Sequence, residues 1–370
     1  MQRRVRAGIA GAGFMGSVHA RAVRAAGGDV AVVAVTKHDP RSRVAALGAE
    51  RVVESFVELL ADDSLDVVHI CVPNALHAEL AAAALDTGRA VICEKPLATT
   101  VAEASALTDR ARAAGVVNAV PFVYRYHPVV RLARDRIDAG HAGALRILHG
   151  SYLQDWLSRS RDSDWRIDAA RGGASRAFGD IGIHWCDLME FVTGHRITRL
   201  VANLKTAVPE RPDIATVTTE DMATIMFETD RGAAGSLVLS QVSPGRKNRL
   251  WFSFDGEHES LAFDQECPEQ LWVGTRDDVR LLSRGVPAGS TEADRLSVLP
   301  PGHPQGYQDA FTAFVADAYA ALLGGSPEGR PTFADGLRAA VLTEAVLRST
   351  REASWVDVPP VSVAHHRPTK

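Results

Sequence analysis

From residue 4 to residue 140, short apolar runs alternate with amphipathic stretches, and that alternation leaves few folds open. "VRAGIA" (5–10), "VAVVAVT" (30–36), "DVVHICV" (66–72), "AVICE" (90–94) and "VVNAVPF" (116–122) read as strands, with a weaker one at "RVVES" (51–55). Strands this continuously apolar are covered on both faces. Helical stretches such as "HAELAAAALDTG" (77–88) and "TVAEASALTDRARAAG" (100–115) lie between them, each closed by a glycine. Such a repeat predicts an α/β fold: a doubly wound parallel sheet with helices on both sides.

The texture changes after "AGALRILHG" (142–150). "DMATIMFETDRGAAGSLVLSQ" (221–241) reads as a hairpin turning at Asp230–Gly232, and "LWFSFDGEHESLAFD" (250–264) as one turning at Asp255–Gly256. These predict a mainly antiparallel open sheet with one wet face, in an α+β domain. "DIGIHWCDLMEFVTG" (180–194) reads as a helix before it. "GYQDAFTAFVADAYAALLGG" (306–325) and "FADGLRAAVLTEAVLRST" (333–350) read as two more after it, followed by the strand "SWVDV" (354–358). A chain of 370 residues suits two domains. The expected division is residues 1–125 and 126–370, with the helices of about 306–352 packing back toward the first domain. Residues 276–305, rich in Gly, Pro and Arg, read as a long loop.

A net charge of −4 without basic runs argues against nucleic acid and against an anionic membrane as partners. The scattered Cys71, Cys93, Cys186 and Cys267 read as free thiols in a reducing compartment, and no Cys/His cluster suggests a metal. The run after the basic start "MQRRVR" is too short for a signal segment, so a cytoplasmic protein is expected.

"VRAGIAGAGFMGSVHARAV" places Gly11, Gly13 and Gly16 straight after the first strand and opens a helix. In that context G-x-G-x-x-G is the turn of a dinucleotide-binding Rossmann unit, with the pyrophosphate on the helix N-terminus. About twenty residues on, the second strand carries the group that reads the adenosine ribose. Thr36 and Lys37 occupy that place, with Arg41 and Arg43 following and Asp39 one step late. A hydroxyl beside a cation suits a 2′-phosphate, so NADP is favoured over NAD. The alternative is that these cations are solvated loop charges.

Lysine occurs only at 37, 95, 205, 247 and 370, so one at the end of the apolar strand "AVICEKP" is not surface filler. Ligands of open α/β sheets bind outside the carboxyl ends of the strands, where Lys95 sits. The rival is an ion pair with Glu94 or another acid. Asp180, His184 and Asp187 follow at i, i+4, i+7 and share one helix face. A histidine there can take a hydroxyl proton near neutral pH. Asp180 competes as a simple helix cap, and Asp187 either orients the imidazole or holds a structural bond. Asn74 caps a helix or bonds a ribose, and His77 reads equally as a satisfied helix histidine. Tyr152, Asp155, Trp156 and His303 are polar or aromatic and could line a ligand site.

Four segments carry a resemblance: "GIAGAGFMGSVHA", "CVPNALHAELAAAALDTGRAVICEKPLA", "WRIDAARGGASRAFGDIGIHWCDL" and "DGLRAAVLTEAVLRST". They resemble the glucose–fructose oxidoreductase, inositol dehydrogenase and MocA family of two-domain NAD(P)-dependent dehydrogenases. The resemblance implies hydride transfer between NAD(P) and a secondary hydroxyl of a sugar, sugar derivative or cyclitol. It implies a cis Lys95–Pro96 bond, Lys95 steadying the developing oxyanion, His184 as general acid/base and Asp180 orienting hydroxyls. The dinucleotide-binding set becomes Gly11, Gly13, Phe14, Met15, Gly16, Thr36, Lys37, Cys71, Pro73, Asn74, His77, Glu94, Lys95, Arg125, Trp165 and Arg166. The substrate set becomes Lys95, Tyr126, Asp155, Asp180 and His184. It also implies a homodimer or homotetramer paired through the second sheet, around strands 222–241. Relatives suggest two other activities: glycoside cleavage by transient oxidation on tightly held NAD, and dinucleotide sensing without catalysis. Retention of Lys95, Asp180 and His184 together argues against the sensor.

Overall fold

A computed structural model describes residues 3–35, 39–212, 214, 216–285 and 291–361. The chain divides into two compact units. The first runs up to Val123 and includes Tyr307–Ala340; the second comprises Tyr124–Gly306 and Val341–Val361.

The first unit begins β1 (Arg6–Ala10), α1 (Phe14–Ala25), β2 (Asp29–Ala34), α2 (Arg41–Ala46), β3 (Arg51–Val53) and α3 (Phe56–Leu60). It continues β4 (Val67–Ile70), α4 (His77–Asp86), β5 (Ala90–Cys93), α5 (Val101–Ala114) and β6 (Asn118–Ala119). Strand order is β3-β2-β1-β4-β5-β6, and every pair is parallel. The chain reverses its direction of winding between β1 and β4, so the loops after those strands border the crevice where such sheets bind ligands. The β4 and β5 residues are all buried, as helix cover on both faces requires. Capping matches the local sequence: Thr100 accepts the Glu103 N–H, and Gly115 ends α5 at φ +63°. β6 is shorter than its apolar run, because the next amide, Val120 N–H, donates to Pro331 O (3.3 Å).

The second unit holds α6 (Pro128–Asp138), β7 (Leu145–Leu153), α7 (Ala169–Gly172), α8 (Ile183–Thr193), β8 (Ile197–Lys205), β9 (Met222–Thr229) and β10 (Ala234–Ser240). β11 (Arg249–Gly256), β12 (Ser260–Asp264), β13 (Gln270–Gly274), β14 (Val279–Ser283) and α9 (Thr291–Leu296) follow. The chain then forms α10 (Tyr307–Leu322), which lies against α1 in the first unit, then α11 (Phe333–Glu352) and β15 (Val356–Asp357). The nine-stranded order is β14-β13-β12-β11-β7-β10-β9-β8-β15, antiparallel except for β7 with β10. α8 covers one face, its Trp185 Nε1 donating to Trp251 O (2.9 Å), over the buried Phe227, Phe252, Phe254 and Phe263. The opposite face shows Ile147, Met226, Val238 and Trp272 to solvent.

Three expectations are corrected. Asp255 and Gly256 belong to β11, and the turn falls at Glu257–Glu259, closed by Gly256 N–H on Glu259 O (3.0 Å). Gly256 serves a close approach instead: a Cβ there would sit 2.2 Å from Ala142 O. The segment 276–305 is not one loop, since it contains β14 and α9. Its organiser is the buried Arg284, which donates to Leu299 O (2.7 Å) and His303 O (2.5 Å) and pairs with Glu269. The expected helix from Asp180 opens as a π-turn over Phe178–Gly182 before α8 begins.

Candidate functional site

In the first unit, Gly11 (φ +103°) turns the chain where a Cβ would lie 2.5 Å from Cys71 O. A Cβ on Gly16 would lie 2.1 Å from Gly11 O, so α1 packs against its own loop only with glycine there. Gly13 differs, since among the described residues a Cβ on it would meet nothing within 4 Å. It caps α1 without a side-chain bond, and the first turn of this 12-residue helix holds no acidic residue. An open glycine before an uncapped helix N-terminus fits a diphosphate. Phe14 is exposed and Met15 half-buried at the same mouth. Thr36 and Lys37 lie outside the described residues; Arg41 and Arg43, on α2, are exposed.

The β5 end is built as one piece. Lys95–Pro96 is cis. The buried Glu94 accepts the Lys95 N–H (3.1 Å), and Lys95 itself is half-buried. His77, fully buried at the start of α4, faces Pro96 O through Nδ1 (2.7 Å) and Val72 O through Nε2 (2.9 Å). Both ring nitrogens face main-chain carbonyls, to one of which a neutral ring donates, so this imidazole packs between the β4–α4 turn and the Lys95–Pro96 turn. Burial holds its pKa below the usual imidazole value. Cys71 and Cys93 are buried beside Glu94, and burial pushes both thiols well up.

In the second unit, His184 is buried on α8 and stands edge-on to Tyr124 (ring centroids 5.1 Å). Tyr124 and Tyr152 share a hydroxyl bond of 2.5 Å. Tyr152 donates to Asn248 Oδ1 (2.7 Å), and Gln154 Nε2 donates to the same oxygen (2.8 Å). Trp156 Nε1 in turn donates to Gln154 (2.8 Å). Asp180 accepts from Gln241 Nε2 (2.9 Å) and lies 3.6 Å from Arg166 Nε. Arg166 also stacks over Trp165 (4.4 Å). Asp180 therefore does not cap a helix; Ala177 and Gly182 hold those places. Burial raises the Tyr124 pKa, and the Asp180 charge adds to that. The cluster offers an imidazole, a carboxylate and aligned hydroxyl and amide groups: the means to accept a proton and to hold neighbouring hydroxyls.

Other expected contacts are drawn elsewhere. Arg125 is fully buried, pairs with Asp187 through Nε and one terminal nitrogen, and stacks on Phe191 (4.8 Å). The same pair assigns Asp187 to a structural bond. The Tyr126 ring is buried beneath Arg131 (5.2 Å). Asp155 takes Lys247 Nζ (2.6 Å) and Gly245 N–H (3.0 Å), tying its loop to the β10–β11 connection. His303 is exposed. Tyr124, Gln154, Gln241 and Asn248 were missed. Tyr124 stood one residue from the Arg125–Tyr126 pair that was singled out, but single amides on strand ends carry no sequence signal.

Residues 5–122 match the model of the oxidoreductase family with an NAD-binding Rossmann fold, and residues 130–262 that of the GFO/IDH/MocA C-terminal domain. A levoglucosan dehydrogenase of Pseudarthrobacter phenanthrenivorans is 31% identical, over 96% of this chain and 98% of that protein. A levoglucosan dehydrogenase solved with NADH and levoglucosan matches with a TM-score of 0.90 at 31% identity, covering 97% of this chain and 100% of that one. An inositol dehydrogenase homolog of Azotobacter vinelandii, solved with NADH and myo-inositol, matches with a TM-score of 0.86 at 25% identity, over 96% and 98% of the chains.

Proposed function

Because the chain belongs to the GFO/IDH/MocA family of oxidoreductases, we propose that it oxidises a secondary hydroxyl of a sugar, sugar derivative or cyclitol, reversibly, with NAD(P). The observation that carries this is the polar cluster around His184, with Asp180 held by Gln241 beside it. A cyclic polyol presents several hydroxyls in fixed directions, and a fixed array of amides, hydroxyls and a carboxylate suits it.

Each unit has its own part. In the first, the Gly11–Gly16 loop and the N-terminus of α1 hold the diphosphate, and the Lys95 ammonium donates to the substrate oxygen as its proton leaves. In the second, His184 takes that proton and Asp180 orients neighbouring hydroxyls. When bound, the dinucleotide supplies the hydride acceptor of the reaction. NADP is the favoured form, on Thr36 and Lys37 with Arg41 and Arg43 downstream.

We place the enzyme in the cytoplasm, on its free cysteines, three of them buried. Among the described residues no helix is long and apolar enough to cross a membrane. The exposed sheet face seats a second copy. The test is a Lys95→Ala variant. Turnover on cyclic polyols should fall by about 10²–10⁴-fold while dinucleotide affinity, read by fluorescence titration with NADPH and NADH, is kept. Near-normal turnover overturns the role of Lys95, and tighter NADH binding overturns the NADP preference.

A further inference from the structure

Behind Lys95 the first unit buries a line of polar side chains that the proposed reaction does not use. Glu94 Oε1 lies 3.0 Å from His19 Nε2, His19 Nδ1 lies 2.8 Å from His69 Nδ1, and His69 Nε2 lies 3.0 Å from the Tyr319 hydroxyl. These groups come from the end of β5, from α1, from β4 and from α10. Both imidazoles are wholly buried, and Phe311 closes over His19 (4.7 Å). Buried polar groups without a structural need are costly, so four of them in register call for a role.

The direction of the bonds follows from donor and acceptor counting. A carboxylate only accepts, so His19 donates through Nε2. With one N–H on each imidazole, His19 accepts at Nδ1, His69 donates through Nδ1, and His69 Nε2 accepts from Tyr319. Burial supports both ends: it holds the His69 pKa well below the usual value and pushes the Tyr319 pKa well up, helped by the Asp66 charge. His69 is therefore a neutral ring with one N–H, and Tyr319 keeps its proton. Every donor points toward Glu94, whose other oxygen accepts the Lys95 N–H (3.1 Å). His77 from α4 and the thiols of Cys71 and Cys93 also feel the Glu94 charge.

We propose that His19, His69 and Tyr319 are positioning residues: a one-way chain of hydrogen-bond donors that seats the Glu94 carboxylate against the Lys95 main-chain N–H and so fixes the turn from which the Lys95 ammonium projects. This rests on the catalytic reading of Lys95, but its test need not. The chain has only five lysines, so reductive ¹³C-methylation of the protein without dinucleotide gives a Lys95 signal that Lys95→Arg assigns.

In wild type, ¹⁵N spectra should show His69 as the neutral Nδ1–H form and His19 as the Nε2–H form. His69→Leu removes the donor and should shift the Lys95 methyl signal and lower kcat at least about tenfold, with KM and dinucleotide affinity little changed. His69→Asn keeps a donor near the Nδ1 position and should restore both. Tyr319→Phe, the mildest change, should move the Lys95 signal in the same direction as His69→Leu. An Nε2–H form of His69 in wild type overturns the proposal. So does a Lys95 signal that stays in place in both the leucine and phenylalanine variants. Should Lys95→Ala keep its turnover while the tautomers and shifts are as stated, the catalytic reading of Lys95 fails and the donor chain stands.

Discussion

Arg125 and Asp187 show how a residue's burial decides its role. The guanidinium and the carboxylate meet across 62 positions of sequence, both nearly without solvent contact, in a bidentate pair. Removing one member leaves the other charged and buried. Arg125→Ala or Asp187→Asn should cost about 3–5 kcal/mol, read as a lower denaturant midpoint. The paired change Arg125→Met with Asp187→Leu should cost much less, because no charge is then stranded. A double variant as unstable as the singles would mean that the pair does more than satisfy itself. Asp187 could be placed on the face of His184 from spacing alone. Its partner could not be read, since nothing local to "PFVYRYHP" says which cation turns inward. The placement of Lys95 at the end of β5 was legible for the opposite reason: its strand, its neighbour Glu94 and its proline are contiguous.

At the scale of elements, the glycine loop separates fold from binding within six residues. Gly16→Ala drives a methyl against the Gly11 carbonyl, with no flexible side chain to give way. It should lower stability by about 1–3 kcal/mol and weaken dinucleotide binding as well. Gly13→Ala adds a methyl where the described residues leave nothing within 4 Å, at a negative φ of −71°. Its melting curve should match wild type while its NADPH affinity falls at least about tenfold, read by fluorescence titration. Equal affinity in Gly13→Ala would place the diphosphate elsewhere. Strand and helix periods made this unit readable, because each element declares itself within a dozen residues. The stretch 276–305 did not: its order depends on Arg284, whose acceptors are carbonyls fifteen to nineteen residues away. The Asp255–Gly256 turn failed likewise, since the glycine answers to Ala142 on another segment.

Across the whole molecule two features set the conditions under which it works. The outer face of the nine-stranded sheet exposes Ile147, Met226 and Val238 on neighbouring strands. A pair of copies should bury them, so light scattering should report a dimer or tetramer, and Met226→Glu with Val238→Glu should lower that mass. A monomeric wild type would remove the reading. The second feature is the buried titratable core of the first unit. His69 and His77 are held below the ordinary imidazole value of 6.5, chiefly by burial, so the folded chain refuses protons that the unfolded chain takes up. Their contribution is present above pH 6.5 and is lost as pH falls below it. Cys71 and Cys93 are held above the ordinary thiol value of 9.0, again chiefly by burial, so the unfolded chain releases protons that the folded chain keeps. Their contribution is present below pH 9.0 and is lost as pH rises past it. Denaturant unfolding from pH 5 to 10 should therefore give a plateau between these two limits, each group adding a slope of up to about 1.4 kcal/mol per pH unit outside it. His69→Asn should flatten the acid limb and Cys93→Ala the alkaline limb, whatever each change does to the height of the plateau. Unchanged slopes in both variants would mean that these groups titrate alike in the folded and unfolded chain, and that burial of this core is looser than its geometry shows.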